Sequence, residues 1–120
     1  MSNREFIDAY IRKNYSTTPD YPWMSQPTYA VYRHKTNRKW FAVIMDIPKS
    51  RLGLEGEAAV SVVNLKSDPL MIGSLQLEKG IYPAYHMNKN HWITILLDGS
   101  VEEDKLKWLL DISFGLSGSR

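Results

Sequence analysis

The chain has 120 residues, a formal net charge of +2 and no cysteine. That length supports one domain with one core, and the lack of thiols excludes disulfides, thiolate nucleophiles and thiolate metal sites. So small a net charge selects no class of partner, and no apolar run approaches the roughly 20 residues that span a bilayer. The polar start, Met1 to Glu5, carries no signal-peptide core, so a cytoplasmic protein is expected.

Ser2-x-x-Glu5 reads as a capping box. Phe6, Ile7, Tyr10 and Ile11 follow at helical spacing and predict a helix over 3–14 with one buried face. Pro19 and Pro22 end it, and Trp23 is expected to open a short edge strand. Tyr29–His34 and Trp40–Ile47 are rich in aromatic and β-branched residues and predict a hairpin, with Asn37 in a left-handed turn position. Pro48–Gly56 reads as a loop and Ala58–Leu65 as a third strand.

Asp68-Pro69 opens a second helix, with Leu70, Met71, Leu75 and Leu77 as its apolar side and Gly80 as its stop. Ile81–His91 is then a connection of eleven residues. One so long without secondary structure is functional or pinned by its own side chains. Trp92–Leu97 is a further strand, closed by Asp98-Gly99. Ser100-x-x-Glu103 repeats the capping box before a last helix, with Leu106, Leu109 and Leu110 turned inward and its end frayed at Gly115 and Gly118. The order predicts one α+β domain over residues 1–120, a mainly antiparallel sheet of four to five strands with helices packed against one face. Trp92 and Trp108 are expected in the core, while Trp23, Tyr32, Trp40, Tyr82 and Tyr85 are candidate aromatic anchors for a partner.

Charge is unevenly spread. Arg33, Lys35, Arg38, Lys39, Lys49 and Arg51 face a single acid, Asp46, whereas Asp98 to Asp111 holds five acids against Lys105 and Lys107. Such a split orients an anionic partner. Nucleic-acid binding needs cations for phosphates and aromatics or amides for bases. Arg33, His34, Lys35, Arg38 and Lys39 supply the first on a hairpin wing. Lys66, His86, Asn88, Lys89 and His91 form a second region, within or near the dense run Tyr85–Trp92.

Other chemistries are less well supplied. His34, His86 and His91, with Asp46, Asp68 and Asp98, are the acid–base candidates, but no glycine-bracketed serine, paired-carboxylate signature or phosphate-cradling loop accompanies them. No enzyme is therefore expected. His86 and His91 stand five apart, a spacing that suits neither a helical nor a strand metal pair. A purely structural reading also accounts for the run: His86 and Asn88 would close a turn by bonding backbone groups, with Met87 and Lys89 covering the core edge.

Leu65-Lys66-x-Asp68-Pro69, Gly80-Ile81-x-Pro83-x-Tyr85-His86-Met87-Asn88-Lys89-x-His91-Trp92-Ile93 and Leu97-Asp98-Gly99 resemble the motifs of the MmcQ/YjbR family, as Tyr29–Arg33 and Lys39–Ala42 resemble its first hairpin. The similarity runs over nearly the whole chain. It implies a compact frataxin-like α+β fold and a family commonly described as DNA-binding. Ala84 stands where a glycine is frequent and Asn90 where a base is frequent, which makes this loop stiffer and less basic. The acidic first helix of frataxin-like proteins is missing, since helix 3–14 sets only Glu5 and Asp8 against Arg4, Arg12 and Lys13. The expectation is a monomeric protein without cofactor or metal. It binds DNA weakly through Arg33, Lys35, Arg38, Lys39, Lys66, His86, Asn88, Lys89 and His91; the alternative is a protein- or peptide-interaction module.

Overall fold

The structure, a computed structural model, describes residues 3–118. Five strands, β1 (Ala30–Arg33), β2 (Trp40–Pro48), β3 (Ala59–Lys66), β4 (Ile81–Pro83) and β5 (Trp92–Leu96), form one sheet in the order β1-β2-β3-β5-β4. Every neighbouring pair is antiparallel. Three α-helices complete the fold: α1 (Asn3–Tyr15), α2 (Pro69–Leu75) and α3 (Glu103–Gly118). Among the described residues no helix is long and apolar enough to cross a membrane.

Strand alternation divides the sheet into two unlike faces. Ile44, Val63, Leu65, Ile93 and Ile95 point to the helices, where Ile7 and Ile11 of α1, Ile72 and Leu75 of α2, and Leu106, Leu109 and Leu110 of α3 close the main core. Each such side chain, fully buried, contributes about 1.5–3 kcal/mol. Val31, Val43, Met45, Ile47, Val62 and Leu96 point the other way. Among the described residues no α-helix joins this second cluster. Its cover is Trp23, Tyr29, Trp40, Leu52, Leu54, Tyr82 and Tyr85, drawn from loops and strand rims.

Phe41 interrupts the alternation. The β1–β2 register shifts between Tyr32, opposite Ala42, and Arg33, opposite Trp40, so Phe41 is the extra residue of a β-bulge. Its ring thereby joins the helix-side core while Trp40 turns to the open face. There Phe41 meets Phe114 edge-on at 5.1 Å, and Phe114 is sandwiched between Tyr15 at 4.0 Å and His34 at 4.1 Å. His34 Nε2 donates to the Phe114 carbonyl at 2.9 Å, and Asn37 Nδ2 donates to the Ser117 carbonyl at 2.9 Å. The hairpin tip thus clasps the last turn of α3, where helices carry spare carbonyls. Burial lowers the His34 pKa below the usual imidazole value, against the raising effect of the Phe114 carbonyl.

Several expectations are corrected. Trp23 opens no strand: the segment turns, with Gln26 N–H on the Trp23 carbonyl and Tyr29 N–H on that of Gln26, and Asp20 makes the isolated bridge to Val31 instead. Pro22 and Pro27 deny that segment two ladder donors. The left-handed residue of the hairpin is Arg38 (φ 63°), not Asn37, whose carboxamide is engaged by the Lys39 N–H and the Ser117 carbonyl. On α2, Asp68 caps Leu70 N–H as predicted, but Leu70 is 91% exposed and Leu77, beyond the helix end, 88% exposed; Ile72 and Leu75 make the contact.

The 81–91 connection holds β4 at its start, and the 48–56 loop holds a 3₁₀ turn, Lys49–Leu52. Helix α3 starts at Glu103, so Ser100 lies ahead of it, its N–H bonded to Asp98 Oδ1 in a preceding turn. The same helix continues through Gly115 to Gly118, the last described residue. A Cβ at position 118 would come within 2.6 Å of His34 Cε1, so the clasp requires a glycine there. Trp108 is 46% exposed, with the Lys105 ammonium over its ring, whereas Tyr32 is buried and donates to Asp8 at 2.8 Å. Ser2, half of the first capping box, lies outside the described residues.

Candidate nucleic-acid interface

The antiparallel register brings the sequence-predicted residues to one end of the sheet. There β1 ends at Arg33, β2 begins at Trp40, β3 ends at Lys66 opposite Trp92, and Pro83 of β4 pairs with Ile93. The hairpin tip 34–39, Lys66 and the loop 84–91 therefore lie together. The acidic stretch starts at the opposite end, where β5 runs out, and continues along α3 behind the sheet.

The candidates differ in what they are free to do. Arg33 pairs with Asp20 at 3.0 Å and lies 5.7 Å over the Trp40 ring, and Arg38 reaches the same Asp20 oxygen at 3.5 Å. His34 is buried on the helix side, so the expected wing loses it. Lys35 and Lys39 are exposed at the hairpin tip and, like Lys66 and Lys89, make no ion pair among the described residues.

Asn88 holds its own loop: Oδ1 accepts from Asn90 N–H at 2.8 Å, and its carbonyl accepts from His91 N–H and Trp92 N–H at 3.1 and 3.0 Å. The exposed His91 ties that turn to β3 through its carbonyl, which accepts from Ser67 N–H at 2.9 Å. His86 is left-handed (φ 59°), and its imidazole stacks on the Tyr85 ring at 4.0 Å and 18°. The acid–base alternatives are engaged otherwise. Asp46 accepts from Ser61 and Arg4, Asp68 caps α2, and Asp98 holds the Ser100 turn. Among the described residues no group of three or more His, Asp or Glu is placed to hold a metal ion.

Two buried polar residues fix this loop on the open face. Asn64 Nδ2 donates to the Tyr85 carbonyl at 2.8 Å, Thr94 Oγ1 accepts from Tyr85 N–H at 2.8 Å, and Thr94 Oγ1 donates to Asn64 Oδ1 at 2.5 Å. Both backbone groups of Tyr85 are thereby held from the sheet. Above Asn64 opens a cleft of about 450 Å³, walled by Trp23, Tyr29, Trp40, Tyr85, His86 and Met87. A second cavity of about 240 Å³ adjoins it across Tyr85 and His86 and carries Arg51 and Lys89. Burial, then the neighbouring Tyr85 and Asp46, raise the Tyr29 pKa, against the lowering effect of Arg51. Asn64 and Thr94 were not singled out from the sequence, although a polar residue inside each apolar strand was the available signal.

A five-stranded antiparallel sheet with helices on one face and an aromatic cleft on the other defines a two-layer α+β domain. The chain belongs to the YjbR family, whose family model matches residues 13–116. It is 39% identical over 117 residues to the uncharacterised Bacillus subtilis (strain 168) protein YyaQ, covering 98% of this chain and 99% of that one. The Escherichia coli (strain K12) protein YjbR, also uncharacterised, is 38% identical over 53 residues, 43% of this chain and 45% of its own length. A crystal structure of a Pseudomonas syringae protein superposes with a TM-score of 0.93 at 47% identity, over 95% of this chain and 97% of that one. A Deinococcus radiodurans structure, at 22% identity and a TM-score of 0.73 over 97% of this chain and 78% of that one, shares the fold.

Proposed function

We propose that the protein is a non-enzymatic nucleic-acid-binding domain that contacts DNA weakly through the basic end of its sheet. One observation carries this reading: the unpaired cations Lys35, Lys39, Lys66 and Lys89 lie at the same end of the sheet as a cleft walled by aromatic rings. Cations that track phosphates beside rings that accept unstacked bases are the two parts of a single-strand site. Duplex DNA keeps its bases paired and offers such rings nothing to stack on, so the geometry favours single strands. The two arginines of the hairpin act through Asp20 to set the Trp40 wall, and the phosphate contacts fall to the lysines.

The test is fluorescence anisotropy with labelled single-stranded and duplex oligonucleotides at about 50 and 200 mM salt, the range in which phosphate contacts weaken sharply. Saturable binding is expected for the single strand, weaker binding for the duplex, and a steep loss between the two salt concentrations. A folded protein that binds neither at the lower salt would refute the reading and point to a protein or peptide partner.

A further inference from the structure

We infer that the two cavities joined at Tyr85 and His86 form a single nucleotide site, with the ring in the larger and the phosphate in the smaller. The inference rests on the nucleic-acid reading above and names the unit that the site would take. Three observations carry it. The larger cleft, at about 450 Å³, falls at the low end of the roughly 300–1,000 Å³ of small-molecule sites, room for one small ligand rather than a length of polymer. Its walls are flat and apolar, with Trp23, Tyr29, Trp40 and Tyr85 around the carboxamides of Gln26 and Asn64. Those surfaces hold a planar heterocycle by stacking and leave the Gln26 amide for its edge, while the Asn64 amide stays with Tyr85 and Thr94.

Charge separates the second cavity from the first. Arg51 and Lys89 both line the smaller one, beside Tyr82 and His86, and no carboxylate lines either cavity. Two other surface cavities mix their signs, one setting Arg4 and Arg12 beside Asp8, the other Lys79 and Lys105 beside Glu78 and Glu102, while a third holds Lys13 and Lys107 without an acid but adjoins no second cavity walled by stacked rings. Two cations without a counter-ion among the described residues, a fork and a point charge, suit a phosphate dianion.

The shared wall is the third observation. The stacked Tyr85–His86 pair faces both cavities, and its backbone is anchored by Asn64 and Thr94, so ring and phosphate subsites are held in fixed relation. A site ordered before binding loses less freedom when it is filled.

The experiment is an NMR titration of the isotope-labelled protein with 2′-deoxyadenosine 5′-monophosphate, with deoxyadenosine and with inorganic phosphate, alongside a single-stranded oligonucleotide. The monophosphate is expected to shift the Trp23 and Trp40 indole signals together with the amides of Arg51 and of residues 85–89. The nucleoside is expected to bind at least about tenfold more weakly, since each of the two lost charge-assisted contacts is worth about that much, and to leave Arg51 unmoved. In the Arg51→Gln/Lys89→Gln variant the two should bind alike.

Absence of monophosphate shifts at these residues, or an undiminished preference for it in the double variant, overturns the inference. The oligonucleotide separates the two readings. If it binds while the monophosphate does not, nucleic-acid binding stands and the nucleotide site falls. If the monophosphate binds at these residues and the oligonucleotide does not, the site stands as one for free nucleotides and the nucleic-acid reading falls.

Discussion

The two faces of this sheet are built from the same strands yet solve different problems. On the helix side, Ile44, Val63, Leu65, Ile93 and Ile95 meet three helices, and the bulge at Phe41 adds an aromatic where the strand would otherwise turn one away. On the open side, Val43, Met45 and Val62 are covered only by loop residues and aromatic rims, and a cleft remains. A face sealed by helices can be mutated only at the expense of the fold. A face covered by side chains from three loops can change what it holds while the fold persists.

Breaking the sealed face should have the largest effect. Phe41→Ala removes the ring that touches Tyr15, His34 and Phe114 and should destabilise the protein by about 3–5 kcal/mol, read from denaturant unfolding. Nucleic-acid affinity, measured where the variant is still folded, should hardly change. Asn64→Leu tests the seam between the faces. It leaves the Tyr85 carbonyl and the Thr94 hydroxyl without their partner, which should cost about 1–3 kcal/mol. Hydrogen exchange should accelerate at residues 84–91 while the amides of β2 stay protected.

On the open face the order reverses. Tyr85→Ala should weaken single-strand binding by about 1–3 kcal/mol, the worth of one stacked base, with a much smaller loss of stability. Equal losses of both would mean that Tyr85 is only a packing residue. Lys35→Gln with Lys39→Gln should leave stability unchanged and reduce the salt slope by about 1.4, two single-strand phosphates' share.

The smallest effect concerns pH. The His34 pKa is lowered in the fold, so the unfolded chain takes up the proton more readily. The stability of the neutral form is fully present above about pH 6.5 and declines as the pH falls through that value toward the lowered one. Thermal melts should show this decline, and His34→Gln should flatten it.

The same contrast decides what could be read from the sequence. Strand positions and the antiparallel order were legible because alternation is a local property, and Asp68-Pro69 marked its helix start just as directly. What failed was set by distant residues. Nothing near Phe41 announces a bulge, whose ring is received by Phe114 on the last helix. Leu70 and Leu77 have the composition of a buried side, but α2 is a short helix that meets the core through Ile72 and Leu75. Gly115 and Gly118 read as a frayed end, because the sequence could not show His34 lying against Gly118. The candidate basic residues were found by type, and the fold placed them at one end; Asp20, which occupies two of them, lies outside both basic segments.

The clasp between the hairpin and α3 also bears on how the chain is made. His34 and Phe114 are 80 residues apart, as are Asn37 and Ser117. At a synthesis rate of about 5–20 residues per second, the hairpin leaves the ribosome several seconds before its partners exist. During that interval the Phe41 ring and the His34 imidazole have α1 beside them but not α3, and the nascent chain carries an aromatic hairpin with basic side chains at its tip. Lys35 and Lys39 put charge at the tip of that unfinished sheet edge, and charge on an exposed strand opposes pairing with another chain.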